Sequence, residues 1–384
     1  MNNFIYDIPT KVYFGEGQLH QLPDILKTFG SRILMVYGGG SIHRNGIYDT
    51  VYSYLKEEGK YVVELAGVEP NPSVSTVRKG VTLCQKHDID TIIAIGGGST
   101  IDCAKVVAAA ACSDYDAWEL VVNPSHITKA LPILAIPTIS ATGSEMDHIG
   151  VISNPETKEK IGTRHPVLRP KVSILDPTHT YSVSAYQSAC GVADIMSHTM
   201  ESYFTKDDAM LQDTFALGIL KVCIKYGPII LEHPNDYEAR ANLMWASSWA
   251  INDMLKLGHA TPWSVHPMEH PLSAYYDVTH GEGLAILTPH WMEYVLCEQS
   301  VEKFAQFAHE IWQIPKKDLW DMARDGIEML KIFYKQLGLR QTLGELGINE
   351  EHFDSMAKDA AKQTIYGYIA LDAQDVKNIY QNSL

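Results

Sequence analysis

The stretch DTIIAIGGGSTIDCAK, residues 90–105, joins a short apolar run to three glycines and then to a segment with helical features. An apolar run bounded by glycine is typical of a buried strand. Ser99 and Asp102 form an S-x-x-D capping pattern, which predicts the start of a helix. The stretch RILMVYGGGS, residues 32–41, shows the same strand-to-glycine transition earlier in the chain. The two stretches predict a strand–loop–helix architecture.

Strand-like runs alternate with helical segments through the first half of the chain. The strands are predicted in RILMVY, YVVELAG, DTIIAIGGG, LPILAIP and KVSILDP, and helices in IYDTVYSYLKEEG and VSTVRKGVTLCQKHD. This alternation predicts a parallel sheet with helices on both faces and right-handed crossovers. After about residue 180 the apolar residues recur at helical spacing. We therefore expect an α/β nucleotide-binding domain with a Rossmann-like parallel sheet at 1–179 and an all-α domain at 180–384. Residues 3–14 alternate around Pro9 and predict a short hairpin.

Length, charge and cysteine usage limit the possible functions. A chain of 384 residues exceeds what one core usually supports, and its net charge of -15 disfavours nucleic acid or anionic membrane as a partner. Its six cysteines show no C-x-x-C spacing, so neither a disulfide framework nor a cysteine zinc site is indicated. We find no signal peptide and expect no apolar run that approaches a membrane span, so a cytoplasmic protein is predicted.

The glycines after the predicted strands suit an anion. Without Cβ atoms, the backbone N–H groups at Gly97 and Gly98 can approach a pyrophosphate, which a helix N-terminus also attracts. Ser99 and Asp102 join this candidate cofactor site. The pattern is not G-x-G-x-x-G, so a plain strand-to-helix turn remains an alternative.

The first glycine loop bears on the choice of cofactor. Gly38, Gly39 and Ser41 are cofactor candidates, and the loop has no carboxylate to hold a ribose 2′-hydroxyl, while Arg44 follows closely. The loop therefore predicts a preference for NADP(H) over NAD(H). Alternatively, Ser41 only caps the next helix, which would leave the preference open.

Four residues suit one divalent metal ion. Asp194 and His198 lie four residues apart in GVADIMSHTMESYF, which would place them on one helical face with Cβ atoms about 5–6 Å apart. His266 and His280 could complete a set of three nitrogens and one oxygen, typical of Fe²⁺ or Zn²⁺. The alternative is a solvated surface pair with histidines that cap helices.

The segment HPMEH, residues 266–270, also fits the H-x-x-E-H pattern of a metallopeptidase class, with two histidine ligands and a glutamate base. That motif needs an uninterrupted helix. Pro267 and Pro271 oppose one, because a residue before proline is pushed out of the helical region. We therefore expect a helix that starts at Pro271, with His270 as a possible cap.

Six motifs in one order carry a family resemblance: YGGGS, EPNP, GGGSTIDCAK, TISATGSE, ADIMSH and HPMEHPLSAYYDVTHG. The chain resembles the iron-containing (group III) alcohol dehydrogenases, most closely their butanol dehydrogenase and NADPH-dependent aldehyde reductase branch, over nearly its whole length. The resemblance implies a dehydroquinate synthase-like superfold, a homodimer, and hydride transfer between NAD(P)(H) and a short- to medium-chain primary alcohol or aldehyde such as butanol or butanal.

The resemblance also implies roles for individual residues. Asn71, Thr138, Thr142 and Lys160 match cofactor contacts, and His270 matches a histidine that relays a proton near the substrate. Read without it, the threonines are turn formers and Lys160 a solvated charge. The metal would act as a Lewis acid facing the nicotinamide across an interdomain cleft. An apolar pocket is expected from Trp263, Met146, Leu255 and Leu272.

Other functions remain open from the sequence. A glycerol or diol dehydrogenase, or a dehydroquinate synthase-like lyase, would share the nucleotide loops. A metallopeptidase or a non-catalytic metal- or nucleotide-binding protein would use only part of the pattern.

Overall fold

The computed structural model describes residues 1–363 and 367–384. The chain forms two compact units. One unit comprises Asp7–Val183 and Pro234–Ser248, and the other comprises Met1–Tyr6, Ser184–His233 and Trp249–Leu384. The predicted boundary at residue 180 did not foresee that residues 1–6 group with the helical unit and residues 234–248 with the unit that contains the sheet.

The first unit is built on a parallel sheet. The strands are β1 Lys11–Phe14, β2 Arg32–Tyr37, β3 Tyr61–Leu65, β4 Thr91–Gly96, β5 Ile133–Pro137, β6 Ile149–Asn154, β7 Glu159–Arg164 and β8 Val172–Leu175. Among the described residues, six strands form the sheet in the order β1-β8-β5-β4-β2-β3, and all its pairings are parallel. β6 and β7 form a separate antiparallel hairpin.

Helices flank the sheet and make up most of the second unit. They are α1 Leu22–Leu26, α2 Ser41–Arg44, α3 Ile47–Glu57, α4 Val74–Lys86, α5 Gly98–Ala110, α6 Ala117–Val122, α7 Ala185–Tyr203, α8 Met210–Glu232, α9 Tyr237–Ile251, α10 Val265–Tyr276, α11 His280–Val295, α12 Val301–Trp312, α13 Leu319–Gln336, α14 Phe353–Ala361 and α15 Ala373–Asn382.

The sheet buries both of its faces. Leu34 and Ile92 belong to a core with α4 and α5, whereas the next residues along the strands, Met35 and Ile93, belong to a core with α1 and α3. Successive strand residues point to opposite faces, so strands covered on both sides read as continuous apolar runs. The predicted α/β unit followed by a helical unit is confirmed.

The predicted N-terminal hairpin is wrong. Strand structure begins only at Lys11, and β1 pairs in parallel with β8 instead of with a neighbouring strand of its own hairpin. Pro9 has no N–H to donate and so cannot extend the ladder. The Thr10 hydroxyl donates to the Pro170 carbonyl at 2.7 Å and anchors the start of the strand.

The predicted capping pattern at α5 is also wrong. The N-cap is Gly97, no side chain caps the helix, and Ser99 lies within the first turn. The Asp102 carboxylate is buried and accepts hydrogen bonds from the Ser144 hydroxyl and the Val151 N–H. Ser41 likewise does not cap α2, whose N-cap is Gly40.

The prolines do not interrupt α10. This helix begins at Val265, with Pro267 in its first turn and Pro271 in its interior, so the predicted start at Pro271 is wrong. A first-turn proline loses no intrahelical hydrogen bond, because the first N–H groups of a helix have no partner within it. The buried Glu201 carboxylate accepts from the Ser264 and Val265 N–H groups and stabilises this end.

Helix α8 departs from another expectation. This 23-residue helix is long and apolar enough to cross a membrane by length and composition, with a mean hydropathy of 1.6 in an 18-residue window, although no such run was expected. It is the one helix of this kind among the described residues. Ala216, Leu220 and Cys223 of α8 are buried, and length and composition do not distinguish a membrane span from a helix that packs on its neighbours.

Candidate metal centre and nucleotide loops

Helix α7 carries the first two metal candidates. Its N-cap Ser184 accepts a hydrogen bond from the Gln187 N–H, and the helix is buried from Ser188 onward. Asp194 and His198 are 3% and 5% exposed, and His198 Nε2 lies 3.5 Å from Asp194 Oδ1. The alternative of a solvated surface pair is therefore wrong.

His266 and His280 join this pair from α10 and α11. Their Nε2 atoms lie 3.8 and 3.9 Å from Asp194 Oδ1. The His198 and His266 rings are stacked with centroids 4.6 Å apart. Tetrahedral ligands with bonds of about 2.0–2.2 Å would be separated by about 3.3–3.6 Å. The donor atoms of Asp194, His198 and His266 lie within 4.8 Å of one another, close to this spacing, and His280 joins them through its 3.9 Å approach to Asp194 Oδ1.

A glycine next to His280 makes this convergence possible. A Cβ atom at Gly281 would lie 2.0 Å from the Cys190 carbonyl oxygen of α7. Any larger residue would force the start of α11 away from α7, and His280 with it. The glycine is needed for close approach of two helices rather than for a turn.

Two buried glutamates hold the imidazoles. Glu201 Oε2 bonds to His266 Nδ1, and Glu269 Oε2 bonds to His280 Nδ1. Each glutamate is at most 1% exposed. Because Nδ1 is engaged by a carboxylate, the Nε2 of each ring is directed at the centre, as in many metal sites. Sequence reasoning missed this orienting role of both glutamates. It considered Glu269 only as the base of a metallopeptidase, and it did not consider Glu201, although Glu201 lies three residues after His198 and so on the same face of α7.

The surroundings set the charges in the metal-free protein. Burial raises the pKa of Asp194, but the neighbouring histidines, His198 first, lower it by more, and the result is a pKa of about 2. Burial lowers the pKa of His198 to about 3. Burial also lowers the pKa of His266, but Glu201 and then Asp194 raise it to about 9. At pH 7 Asp194 is therefore ionised, His198 is neutral, and His266 holds a proton that a metal would displace.

The donor set fits a divalent ion. Among the described residues, Asp194 Oδ1 and His266 Nε2 have no hydrogen-bond partner although both atoms are buried, and their separation of 3.8 Å is too long for a hydrogen bond. Buried polar atoms without partners are costly, and a cation would satisfy both. Three imidazole nitrogens and one carboxylate oxygen suit Fe²⁺ or Zn²⁺.

His270 lies beside this set, one helical turn after His266. It is half-buried, and its ring centroid lies 5.9 Å from that of His280 and 6.5 Å from that of His266. From the sequence, Pro267 and Pro271 were expected to break the helix that the H-x-x-E-H pattern needs, but α10 is continuous, so that objection does not hold. Glu269 argues against that pattern instead, because it is fully buried and its oxygens bond to His280 and Ser273, which leaves no accessible general base.

The glycine loops meet at the carboxyl edge of the sheet. β2 and β4 are parallel neighbours with Tyr37 opposite Ile95, so the loops that follow them start side by side. A Cβ atom at Gly38 would lie 3.6 Å from the Thr100 hydroxyl of α5. Gly39 and Ser41 continue the first loop.

The loop after β5 joins them. The Thr138 N–H donates to the Gly96 carbonyl at 3.0 Å. A Cβ atom at Gly98 would lie 2.3 Å from the Thr142 hydroxyl oxygen, so Thr142 rests on the start of α5. Five predicted cofactor residues, Gly38, Gly97, Gly98, Thr138 and Thr142, therefore lie together around a helix N-terminus that no side chain caps.

The remaining cofactor candidates lie in different surroundings. Lys160 is 8% exposed on β7, opposite Ser153 of β6, so it is not a solvated charge. Asn71 adopts a left-handed conformation with φ of 53° in the turn before α4, and the next residue, Pro72, accepts a hydrogen bond from the Ser153 N–H. Ser99 is half-buried in the first turn of α5, and the Asp102 carboxylate points into the interior.

The residues that were expected to line an apolar pocket differ in their exposure. Leu255, Leu272 and Met146 are at most 5% exposed and serve as core residues. Trp263 is half-buried, and its ring centroid lies 4.5 Å from that of His266 and 5.6 Å from that of His198. Of the four candidates, Trp263 alone combines partial exposure with contact to the metal ligands.

Comparison with known proteins agrees with this arrangement. The family described as iron-containing alcohol dehydrogenase matches residues 9–177, and the C-terminal domain of the Fe-containing alcohol dehydrogenase family matches residues 188–384. The chain is 52% identical to NADH-dependent butanol dehydrogenase A of Clostridium acetobutylicum, with both chains fully covered. It is 35% identical to the NADPH-dependent aldehyde reductase YqhD of Escherichia coli, over 93% of this chain and 92% of that protein. The crystal structure of NADH-dependent butanol dehydrogenase A from Thermotoga maritima aligns with a TM-score of 0.96 at 36% identity, covering 100% of this chain and 99% of that chain.

Proposed function

The chain belongs to the iron-containing alcohol dehydrogenase family, and we propose that it transfers a hydride between a nicotinamide cofactor and a short- to medium-chain primary alcohol or aldehyde such as butanol or butanal. The family uses NAD(P) and a metal ion, usually iron. The observation that carries the proposal is the donor set of Asp194, His198, His266 and His280, in which the buried Asp194 Oδ1 and His266 Nε2 have no hydrogen-bond partner among the described residues.

The residues around the centre have separate tasks. A divalent ion held by the four donors would supply Lewis acidity, which favours an alkoxide over an alcohol and polarises an aldehyde carbonyl. Glu201 and Glu269 keep the imidazoles oriented. Trp263 offers an apolar surface beside the four donors, which suits an unbranched alkyl chain.

His270 is proposed to pass the proton between the substrate oxygen and solvent. Its ring lies next to the ligand rings without belonging to the donor set, and an imidazole titrates near neutrality. We expect His270→Gln to lower kcat about 10²-fold and to flatten the pH dependence of kcat near neutrality, with metal content unchanged. Unchanged kcat and pH profile would assign His270 to packing alone.

The cofactor is proposed to bind at the glycine loops. The uncapped N-terminus of α5 offers backbone N–H groups and the positive end of its dipole to a pyrophosphate. The preference for NADP(H), predicted from a loop without a carboxylate, stays a prediction, since relatives at 52% identity are named NADH-dependent and YqhD is named NADPH-dependent. The weaker proposal is that the loop admits both cofactors.

A homodimer is the proposed assembly. Phe4, Ile5 and Tyr6 near the N-terminus are exposed, Ile5 at 91%. β1 ends the order of the sheet, so one side of it carries no partner strand among the described residues. Light scattering of the purified protein tests this, and a monomer at micromolar concentration would contradict it.

One experiment tests the function as a whole. The protein is purified without oxygen, its iron and zinc are measured, and oxidation of NADH and NADPH is followed with butanal. We expect about one metal ion per chain and turnover that stops after chelation. Faster turnover of glycerol or 1,3-propanediol would instead favour a diol dehydrogenase, and no turnover of any aldehyde by metal-loaded protein would favour a binding protein.

A further inference from the structure

A buried lysine lies below the nucleotide loops and has no part in the mechanism above. Lys105 of α5 is 0% exposed, and its Nζ donates to the Ser144 hydroxyl at 2.8 Å, to Asp147 Oδ1 at 2.5 Å and to the Ile149 carbonyl at 2.8 Å. An ammonium group has three protons, and here each has an acceptor. Burial of a charge is costly unless it is paired in this way, so removal of any one of these acceptors should destabilise the arrangement.

Asp102 completes the arrangement from one turn earlier on the same face of α5. Its Oδ1 accepts from the Ser144 hydroxyl at 2.5 Å and its Oδ2 from the Val151 N–H at 3.1 Å. Burial raises the pKa of Asp102 to about 6, although Lys105 opposes this shift. The Ser144 hydroxyl thus accepts from Lys105 and donates to Asp102, and it bridges the two charged groups.

These bonds fasten one chain segment to one helix. Asp102 and Lys105 belong to α5, and their partners all lie in residues 144–151. The chain also packs closely on α5 at two further points. Thr142 meets Gly98 at the start of the helix, and a Cβ atom at Gly150 would lie 3.2 Å from the Asp102 carbonyl oxygen. The charged groups are therefore part of a stretch that lies tightly against the helix.

We propose that Lys105, Asp102, Ser144 and Asp147 form a positioning network that holds Thr142 against the N-terminus of α5 and thereby sets the affinity for the nicotinamide cofactor. The proposal rests on the proposed function, because it takes the glycine loops as the cofactor site. None of the four residues needs to touch the cofactor. Asp102, assigned to cofactor binding from the sequence, is reassigned to this network, since both its oxygens face the segment.

The Ser144→Ala variant is the mildest test, because it leaves the Lys105–Asp147 ion pair in place and removes only the bridge. Loss of its two charge-assisted hydrogen bonds, to Lys105 and Asp102, should raise the Kd for NADH about tenfold. Metal content and the KM for butanal should stay unchanged. Fluorescence titration of NADH into the metal-loaded enzyme, with steady-state kinetics on the same sample, gives all three values.

A pair of variants at Asp147 separates positioning from general stability. Asp147→Ala should weaken NADH binding further, whereas Asp147→Asn keeps an oxygen that can accept from Lys105 and should recover part of the affinity. Asp213→Ala is the matched control, because it removes a partly buried lysine–carboxylate pair, with Lys303, in the helical unit. We expect this control to lower the melting temperature without changing the Kd for NADH.

The outcomes are distinct. If Ser144→Ala and Asp147→Ala lower the melting temperature as Asp213→Ala does while the Kd for NADH stays the same, the positioning role is overturned and the proposed function stands. If the unmodified enzyme binds neither NADH nor NADPH, the proposed function fails and the positioning role fails with it.

Discussion

The candidate metal centre and the candidate cofactor loops are built in opposite ways. The centre uses side chains, and two of its three imidazoles are fixed by carboxylates behind them. The loops offer main-chain N–H groups, and their packing requires residues without a side chain. At Gly98, for example, a Cβ atom would collide with Thr142. We therefore expect the metal centre to be sensitive to substitutions that change a functional group but keep the size of the side chain. We expect the loops to be sensitive to substitutions that add volume, even when the added group is apolar.

The largest effect should come from a ligand. His198→Ala removes one donor and should abolish both metal retention and butanal reduction, by at least about 10³-fold in rate, since Lewis acidity contributes several kcal/mol. Metal analysis and steady-state rates measure this. His290→Gln is the control, because that histidine interacts with Glu293 outside the donor set. Full metal content and full turnover in His198→Ala would refute the ligand assignment.

A single methyl group should disable the loops. Gly98→Ala places a Cβ against Thr142 and should raise the Kd for NADH about 10²-fold by displacing the loop, with metal content unchanged. Gly218→Ala of α8 is the matched control, because nothing lies within 4 Å of its Cβ position. Normal NADH binding in Gly98→Ala would mean that the loop yields and that shape does not govern this site.

A change behind the ligands should have a smaller effect. Glu201→Gln keeps the size of the side chain but not its charge, and it should weaken metal affinity about 10- to 100-fold. Competition with a chelator of known affinity measures this in the apo protein, with exposed Glu232→Gln as control. Equal affinities would show that the centre depends on its four donors alone.

The last prediction concerns pH, which acts gradually. The pKa of His266 is raised from its usual 6.5 to about 9, so its contribution to the stability of the metal-free protein is complete below about 6.5 and is lost as the pH rises through 9. Metal binding has the opposite sign, because the ion displaces this proton. Affinity should therefore rise about tenfold per unit between pH 7 and 9, and a flat profile would contradict the assignment.

The sequence was informative where residue type and spacing decide the outcome. The parallel sheet followed from apolar runs that end in glycine, and the four donors followed from an i,i+4 pair and a histidine-rich segment, although their use as ligands stays a prediction. Glu201 and Glu269 were missed because a glutamate within a helical pattern usually faces solvent, and only the packing of α7, α10 and α11 shows them to be buried.

The errors share a physical cause, which is that tertiary contacts overrode local preference. Asp102 has the right spacing to cap α5, but burial beside Lys105 directs it elsewhere. Pro271 should have started a helix, but Glu201 stabilises an earlier start at Val265. Residues 3–14 alternate as a hairpin would, but β1 instead pairs with the open edge of β8, with Lys11 opposite Val172.

The two glutamate–histidine pairs described for the metal centre have a consequence for the upkeep of the enzyme. Their bonds need no ion, so the imidazoles stay oriented when the centre is empty. We expect a chain that has lost its metal ion to a chelator to take up a new ion without refolding. The identity of the ion in the working enzyme is then set by whichever divalent metal the surroundings supply in excess, since ligand type alone does not separate Fe²⁺ from Zn²⁺.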